Sequence, residues 1–256
     1  MNTDTSEGDR GLVAPCRVVP LSRPLHWLAA GWRDYRSAPG LSLLYGVVIA
    51  LASLAISVLA WSLGRFALLS LLLSGFVFVA PLLAVGLYSV SREREAGRAP
   101  TLDHSFTLVR RVVGQAGVFA LLLLVILLVW SRAGMVLYAL IPVEPGDRSA
   151  LIELLTIGSM VGAVFATLTF ATAAFSLPMI ADRGVDMVTA CLSSIHAVLR
   201  NRGAALVWAL LIVLLTVVGF ATAFIGLVVV MPWLAYAAWH GYREIIDGSA
   251  WPRLSP

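Results

Sequence analysis

The stretch GAALVWALLIVLLTVVGFATAFIGLVVVMPWLAYAAWHGY, residues 203–242, runs for forty residues without an Asp, Glu, Lys or Arg. At ~1.5 Å per residue a single helix of that length would reach about 60 Å, twice the ~30 Å hydrocarbon thickness of a bilayer. It therefore reads as two crossings joined by a turn. Val218-Gly219-Phe220-Ala221-Thr222 is the best break, because glycine is a poor helix former. The two crossings fall at about 203–220 and 223–241.

Working outward, the same criterion finds four more apolar runs. They lie at about 41–64, 66–91, 112–131 and 154–181, with Arg65 separating the first two. The composition agrees. The chain of 256 residues is 60% hydrophobic and 12% charged, about half the charged share of a soluble domain. Such a chain cannot cover its surface with polar groups, so lipid must solvate much of it. The expected fold is all-α, a polytopic membrane bundle of about six helices. Residues 1–21 read as a disordered cytoplasmic tail, 22–246 as the membrane domain and 247–256 as a second tail. Residues 1–20 carry no continuous apolar run of the kind a signal peptide needs.

All basic residues are arginine, and fifteen of the eighteen fall in the tails and in the loops that a six-span count puts on one side. The positive-inside rule places that side, and both termini, in the cytoplasm. The expected setting is an inner (cytoplasmic) membrane. A net charge of +4 without a compact basic domain gives no reason to invoke nucleic acid. Cys16 and Cys191 lie far apart on the reducing side, and no disulfide is expected.

The spans fall into three helical hairpins. The second member of each carries a proline, Pro81, Pro178 and Pro232, followed by a polar or basic segment. Each proline removes a helical hydrogen bond and is expected to kink its helix. Three cytoplasmic segments read as amphipathic and interfacial. The first starts at Ser22-Arg23-Pro24, with Ser22 as N-cap, and puts Leu25, Leu28, Trp32 and Tyr35 on one face, beside Arg33 and Arg36. The second covers about 101–111. The third, about 184–201, carries Val185, Val188, Leu192, Ile195 and Leu199 as a stripe. An outer segment, 133–143, is expected to lie on the opposite surface. Trp27, Trp32, Arg33, Arg92, Arg94, Asp182, Arg183, Trp239 and His240 are the candidates for interfacial or partner contact.

Signs of chemistry are sparse. His26, His104, His196 and His240 all fall at the cytoplasmic edge, whereas a transmembrane haem needs ligands inside the bundle. No spacing of metal ligands and no catalytic motif occurs, and no ionisable group sits deep in a span. No cofactor is expected. Glu93 and Glu95 alternate with Arg92 and Arg94 and read as a solvated charge run. Asp182 and Asp186 follow the fourth span and are placed to cap the next helix.

Four stretches carry a resemblance. They are Pro24-Leu25-His26-Trp27-Leu28-Ala29-Ala30-Gly31-Trp32-Arg33-Asp34 with Leu44-Tyr45-Gly46; Pro81-Leu82-Leu83-Ala84-Val85-Gly86-Leu87-Tyr88 through Gly97; Phe175-Ser176-Leu177-Pro178 through Leu199; and Pro232 through Arg243. Together they resemble the bacterial integral-membrane family called domain of unknown function 2189. That resemblance implies six spans and no established activity. Some members carry names suggesting cytochrome c oxidase subunits. Members often have a histidine four residues before the one matching His240, where this chain has Tyr236. The function expected is a non-enzymatic accessory or assembly protein of a membrane complex, respiratory in the reading that those names suggest, in contact with lipids and a membrane-protein partner. The alternative is a transporter or channel for a small or lipid-like solute.

Overall fold

The computed structural model describes residues 11–63, 66–144 and 146–254. Arg65 and the first ten residues of the expected tail fall outside them. The described residues form helices α1 (Arg23–Ser37), α2 (Pro39–Leu63), α3 (Phe66–Glu95), α4 (Leu102–Leu140), α5 (Arg148–Ala173), α6 (Ser176–Asp182), α7 (Met187–Arg200), α8 (Arg202–Ala221) and α9 (Leu227–Ile245). Among them, Pro39–Leu59, Leu102–Leu140, Arg148–Asp182 and Arg202–Ala221 are long and apolar enough to cross a membrane. The architecture is an all-α membrane helix bundle.

Helix starts follow local chemistry. Asp186 accepts a hydrogen bond from the Thr189 backbone at 3.0 Å and opens α7, as its position suggested. Asp147 caps α5 through the Ser149 and Ala150 N–H groups, and Thr101 caps α4 through His104 N. Ser22 makes no side-chain cap; its carbonyl instead accepts from His26 Nδ1. The long apolar run turns between α8 and α9. Ala223 and Phe224 take left-handed φ values of 53° and 68°, and Thr222 Oγ1 accepts from Gly226 N at 2.8 Å. Two left-handed non-glycine residues are uncommon and fit only where a turn must be tight.

Most buried side chains gather at one end of the bundle. This base combines α1, α6, α7, the C-terminal ends of α3 and α9, and the N-terminal ends of α4 and α8. Trp27 lies at its centre, edge-on to Phe175 and Trp208 at 6.1 and 5.8 Å between ring centroids. Trp239 and Tyr242 complete the aromatic core. From the base, apolar helices project with most of their side chains uncovered. In α5 no residue from Arg148 to Phe170 is buried.

Helix α9 is the axis of the base. It packs antiparallel to α1 with its second half and to α2 with its first half. Gly31 brings the α1 and α9 backbones together: a Cβ there would lie 2.6 Å from Ala237 N and 2.9 Å from the Trp233 carbonyl. Gly46 of α2 seats directly on the Val228 carbonyl. That carbonyl is the one Pro232, lacking an N–H, leaves without its helical donor. Small residues at helix crossings are the usual route to close packing in lipid.

The structure revises several expectations about the amphipathic segments. Helix α1 splits the expected interfacial face Leu25, Leu28, Trp32 and Tyr35, with Leu28 and Tyr35 turned into the bundle. It buries Trp27, Gly31, Asp34 and Tyr35 against the bundle and leaves Leu25 and Trp32 exposed. Segment 101–111 is the first part of α4, and the outer segment 133–143 is mostly its continuation to Leu140. Helix α7 turns Val188, Leu192 and Leu199 outward, as expected of an interfacial stripe, while Val185, ahead of the helix, is buried and Ile195 half-buried. Its buried face is small and polar. Ser193 Oγ accepts from Ala14 N at 2.8 Å. Ser194 Oγ accepts from Phe175 N and donates to the Ala171 carbonyl, bridging the break between α5 and α6. Pro178 sits just after that break, whereas Pro81 and Pro232 lie within unbroken helices.

The described parts of both tails, residues 11–21 and 247–254, are strapped to the base. Where a disordered segment over 1–21 was expected, Arg17 N donates to the Ile245 carbonyl, and Val19 N to Asn201 Oδ1. At the other end Trp251 is buried, Gly184 N donates to the Pro252 carbonyl, and Leu254 N to the Asp182 carbonyl.

Candidate functional site

The charged residues of the base form a layer and pair across it; in the run Arg92 to Glu95, Glu93 is buried and Arg92 half-buried, while Arg94 and Glu95 keep the exposure of a solvated run. Four consecutive residues at the end of α3 point in four directions, because each helical step turns about 100°. Arg92 donates to the Leu254 carbonyl. Glu93, 3% exposed, receives Arg98 at 2.5 and 3.0 Å. Arg94 reaches Asp34 at 3.2 Å. Glu95 accepts from Arg243 at 2.7 Å and from Trp239 Nε1 at 3.3 Å.

Asp182 is the deepest carboxylate, with 2% of its side chain exposed. It accepts from the Tyr242 hydroxyl at 2.9 Å, Arg183 Nε at 3.0 Å and Arg243 Nη1 at 3.2 Å. It does not cap α7. Tyr242 is pushed up by burial and by Asp182, which keeps it the proton donor. Asp34, also buried, accepts from His240 Nε2 at 2.8 Å. Glu244 binds Arg23 at 2.5 Å and Trp27 Nε1 at 2.7 Å.

The structure thus gathers Arg92, Asp182, Arg183 and Trp239 around Arg243, Glu95 and Leu254, sets Arg94 and His240 on Asp34, and sets Trp27 on Glu244, three clusters within the base. Trp27, Trp239 and Asp182 are buried within it and offer no outer surface. Trp32 and Arg33 remain exposed on α1. The partners that sequence alone did not single out are Arg23, Asp34, Glu95, Tyr242, Arg243 and Glu244. Each meets its counterpart from a distant part of the chain, and only the four-residue spacing of His240 and Glu244 hinted at a shared face.

Beside this layer, α1 and α9 enclose a cleft of about 410 Å³, with Arg23, His26, Arg33, His240, Arg243 and Glu244 on its walls. Among the described residues no three His, Cys, Asp or Glu side chains converge as a metal site would require.

Acid should loosen this layer. Burial pushes the Asp34 carboxyl up, but the His240 hydrogen bond and the Arg94 charge outweigh it, and Asp34 lies below the usual carboxylate range. The Arg98 hydrogen bond holds Glu93 low against its burial. Carboxylates lowered in the folded state contribute stability above their ordinary values, near pH 4, and lose it as pH falls through their folded values. The melting temperature in neutral detergent should therefore hold down to about pH 5 and then fall below about pH 4. Asp34→Asn should flatten part of that acid limb. An Asp34→Asn profile parallel to the wild type would contradict the assignment.

The membrane character read from composition and architecture meets a comparison here. Residues 68–182 match the family model described as predicted integral membrane protein (DUF2189). It is the family that the four stretches resemble. No curated protein and no solved structure matches the chain. The DUF2189 match ends at Asp182, so the layer joins residues inside it, Arg92 to Glu95 and Asp182, to α1, α9 and the C-terminal strap outside it. The chain is an integral membrane protein.

Proposed function

We propose that this integral membrane protein is a non-enzymatic accessory or assembly protein of a membrane complex. The observation carrying this reading is the division of the molecule. The base is closed by ion pairs and straps, while α5 leaves its apolar length from Arg148 to Phe170 unburied. A helix that its own bundle does not cover is free to contact lipid or the helices of another protein. The oxidase-like names in the resembling family point to a respiratory complex.

Both straps lie on the same base, which supports an even number of crossings and so six rather than five. The arginine-rich side is then cytoplasmic, in a bacterial inner membrane. Pro81, Pro178 and Pro232 act as helix-shaping elements rather than moving parts. A coupled transporter finds less support, because among the described residues the ionisable groups stand in the base or near the far helix ends.

Affinity purification from native membranes in mild detergent, with mass spectrometry of proteins and lipids, tests the proposal. A membrane protein should co-purify in fixed proportion. Recovery of the chain alone with lipid, across several mild detergents, would reject it.

A further inference from the structure

We propose that the cleft between α1 and α9 binds a phosphate ester of net negative charge. Arg23, His26 and Arg33 stand three and seven residues apart on α1 and so share one face. His240 and Arg243 approach from α9. Several of these side chains are already oriented from behind. Asp34 holds His240, Glu95 and Asp182 hold Arg243, and Glu244 holds Arg23.

Arg33 differs: among the described residues no carboxylate lies within ion-pair distance of it. Glu244, the carboxylate on the cleft wall, is engaged by Arg23 and Trp27. The cleft therefore presents three arginines against one wall carboxylate, two of them, Arg23 and Arg243, held in place. Its small residues Ala29 and Ala30 leave room, and its ~410 Å³ falls within the range of small-ligand sites. Arginine forks recognise phosphate through paired charge-assisted hydrogen bonds. Leu25 and Trp32, exposed on the adjoining strip of α1, place apolar surface beside the charge, as a lipid headgroup with its chains would require.

The test uses the full-length protein, delipidated in neutral detergent and titrated at constant ionic strength. The probes are phosphatidylglycerol, phosphatidylcholine and glycerol 3-phosphate, read by native mass spectrometry and by melting shift. Phosphatidylglycerol should bind in preference to phosphatidylcholine, and Arg33→Gln should weaken that binding about tenfold. Arg36→Gln, an exposed arginine of the same helix outside the cleft, should leave it unchanged. Glycerol 3-phosphate binding as tightly as phosphatidylglycerol would identify a soluble phosphate ester as the ligand. Weaker binding would identify the membrane lipid. Either keeps the site. Binding that Arg33→Gln does not alter, equal binding of phosphatidylcholine, or binding of neither anionic probe would overturn it. Arg33 lies in no ion pair among the described residues, so its variant should melt with the wild type, and loss of binding will not be loss of fold.

Discussion

Asp182→Ala is expected to dismantle the charged base. The carboxylate has 2% of its side chain exposed and serves Tyr242, Arg183 and Arg243 at once. Removing one partner of a buried pair costs about 3–5 kcal/mol, because the other charge stays buried without compensation. Arg243 retains Glu95 and Arg183 retains the Trp251 carbonyl, but Arg183 Nε and the Tyr242 hydroxyl lose the acceptor they share. The same change takes from the C-terminal strap only the carboxylate toward which Arg253 leans; its backbone hydrogen bonds to Asp182 and Gly184 remain. Asp182→Asn keeps the shape and one acceptor oxygen and should lose less. The measurement is the melting of the detergent-solubilised protein followed by tryptophan fluorescence, since Trp27, Trp208 and Trp239 all report from the base. Wild-type melting of Asp182→Ala would show that the carboxylate contributes nothing.

The second large effect is expected at the helix crossings. Gly46→Val would drive a Cβ into the Val228 carbonyl, and Gly31→Val would place one 2.6 Å from Ala237 N. Both obstacles are backbone, so no side chain can rotate away. Overpacking of this kind costs about 1–3 kcal/mol or more. Here it also parts α9 from α1 or α2, so a loss at or above the upper value is expected. Glycine is itself unfavourable within a helix, and replacing it would otherwise gain up to about 1 kcal/mol. Gly114 of α4, exposed and with open space for 4 Å around the position a Cβ would take, separates the two effects. Gly114→Ala should stabilise slightly while the other two destabilise. Tolerance of Gly46→Val in the same melting assay would refute the close crossing.

How much of this could be read from the chain follows from the range of the forces involved. Helical class and lipid exposure are properties of local runs, and 203–242 alone carried most of that information. The Asp186 cap was also legible, because a cap spans three residues. The stripe Val188, Leu192 and Leu199 read as interfacial, and it does face outward. What the opposite face of α7 would meet was not legible. The small polar face of Ser193 and Ser194 turned inward. The charge layer was hidden for another reason. Arg92 to Glu95 look like a mutually neutralising run, yet each residue finds its partner elsewhere, at Asp34, Arg98, Arg243 or the last residues of the chain. Such pairs leave no periodic trace. Glycines 31 and 46 stood within the resembling stretches, but their purpose needed the position of α9.

The pairing of α9 with α1 and α2 has a consequence for how the protein is made. The opening helices can find their main partner only when the closing one leaves the ribosome, roughly 200 residues later. At ~5–20 residues per second, the Trp27–Gly31–Asp34 face waits unpaired for tens of seconds. A nascent chain in that interval is an obvious client for an insertase or membrane chaperone, and ribosomes stalled before α9 should retain that helper.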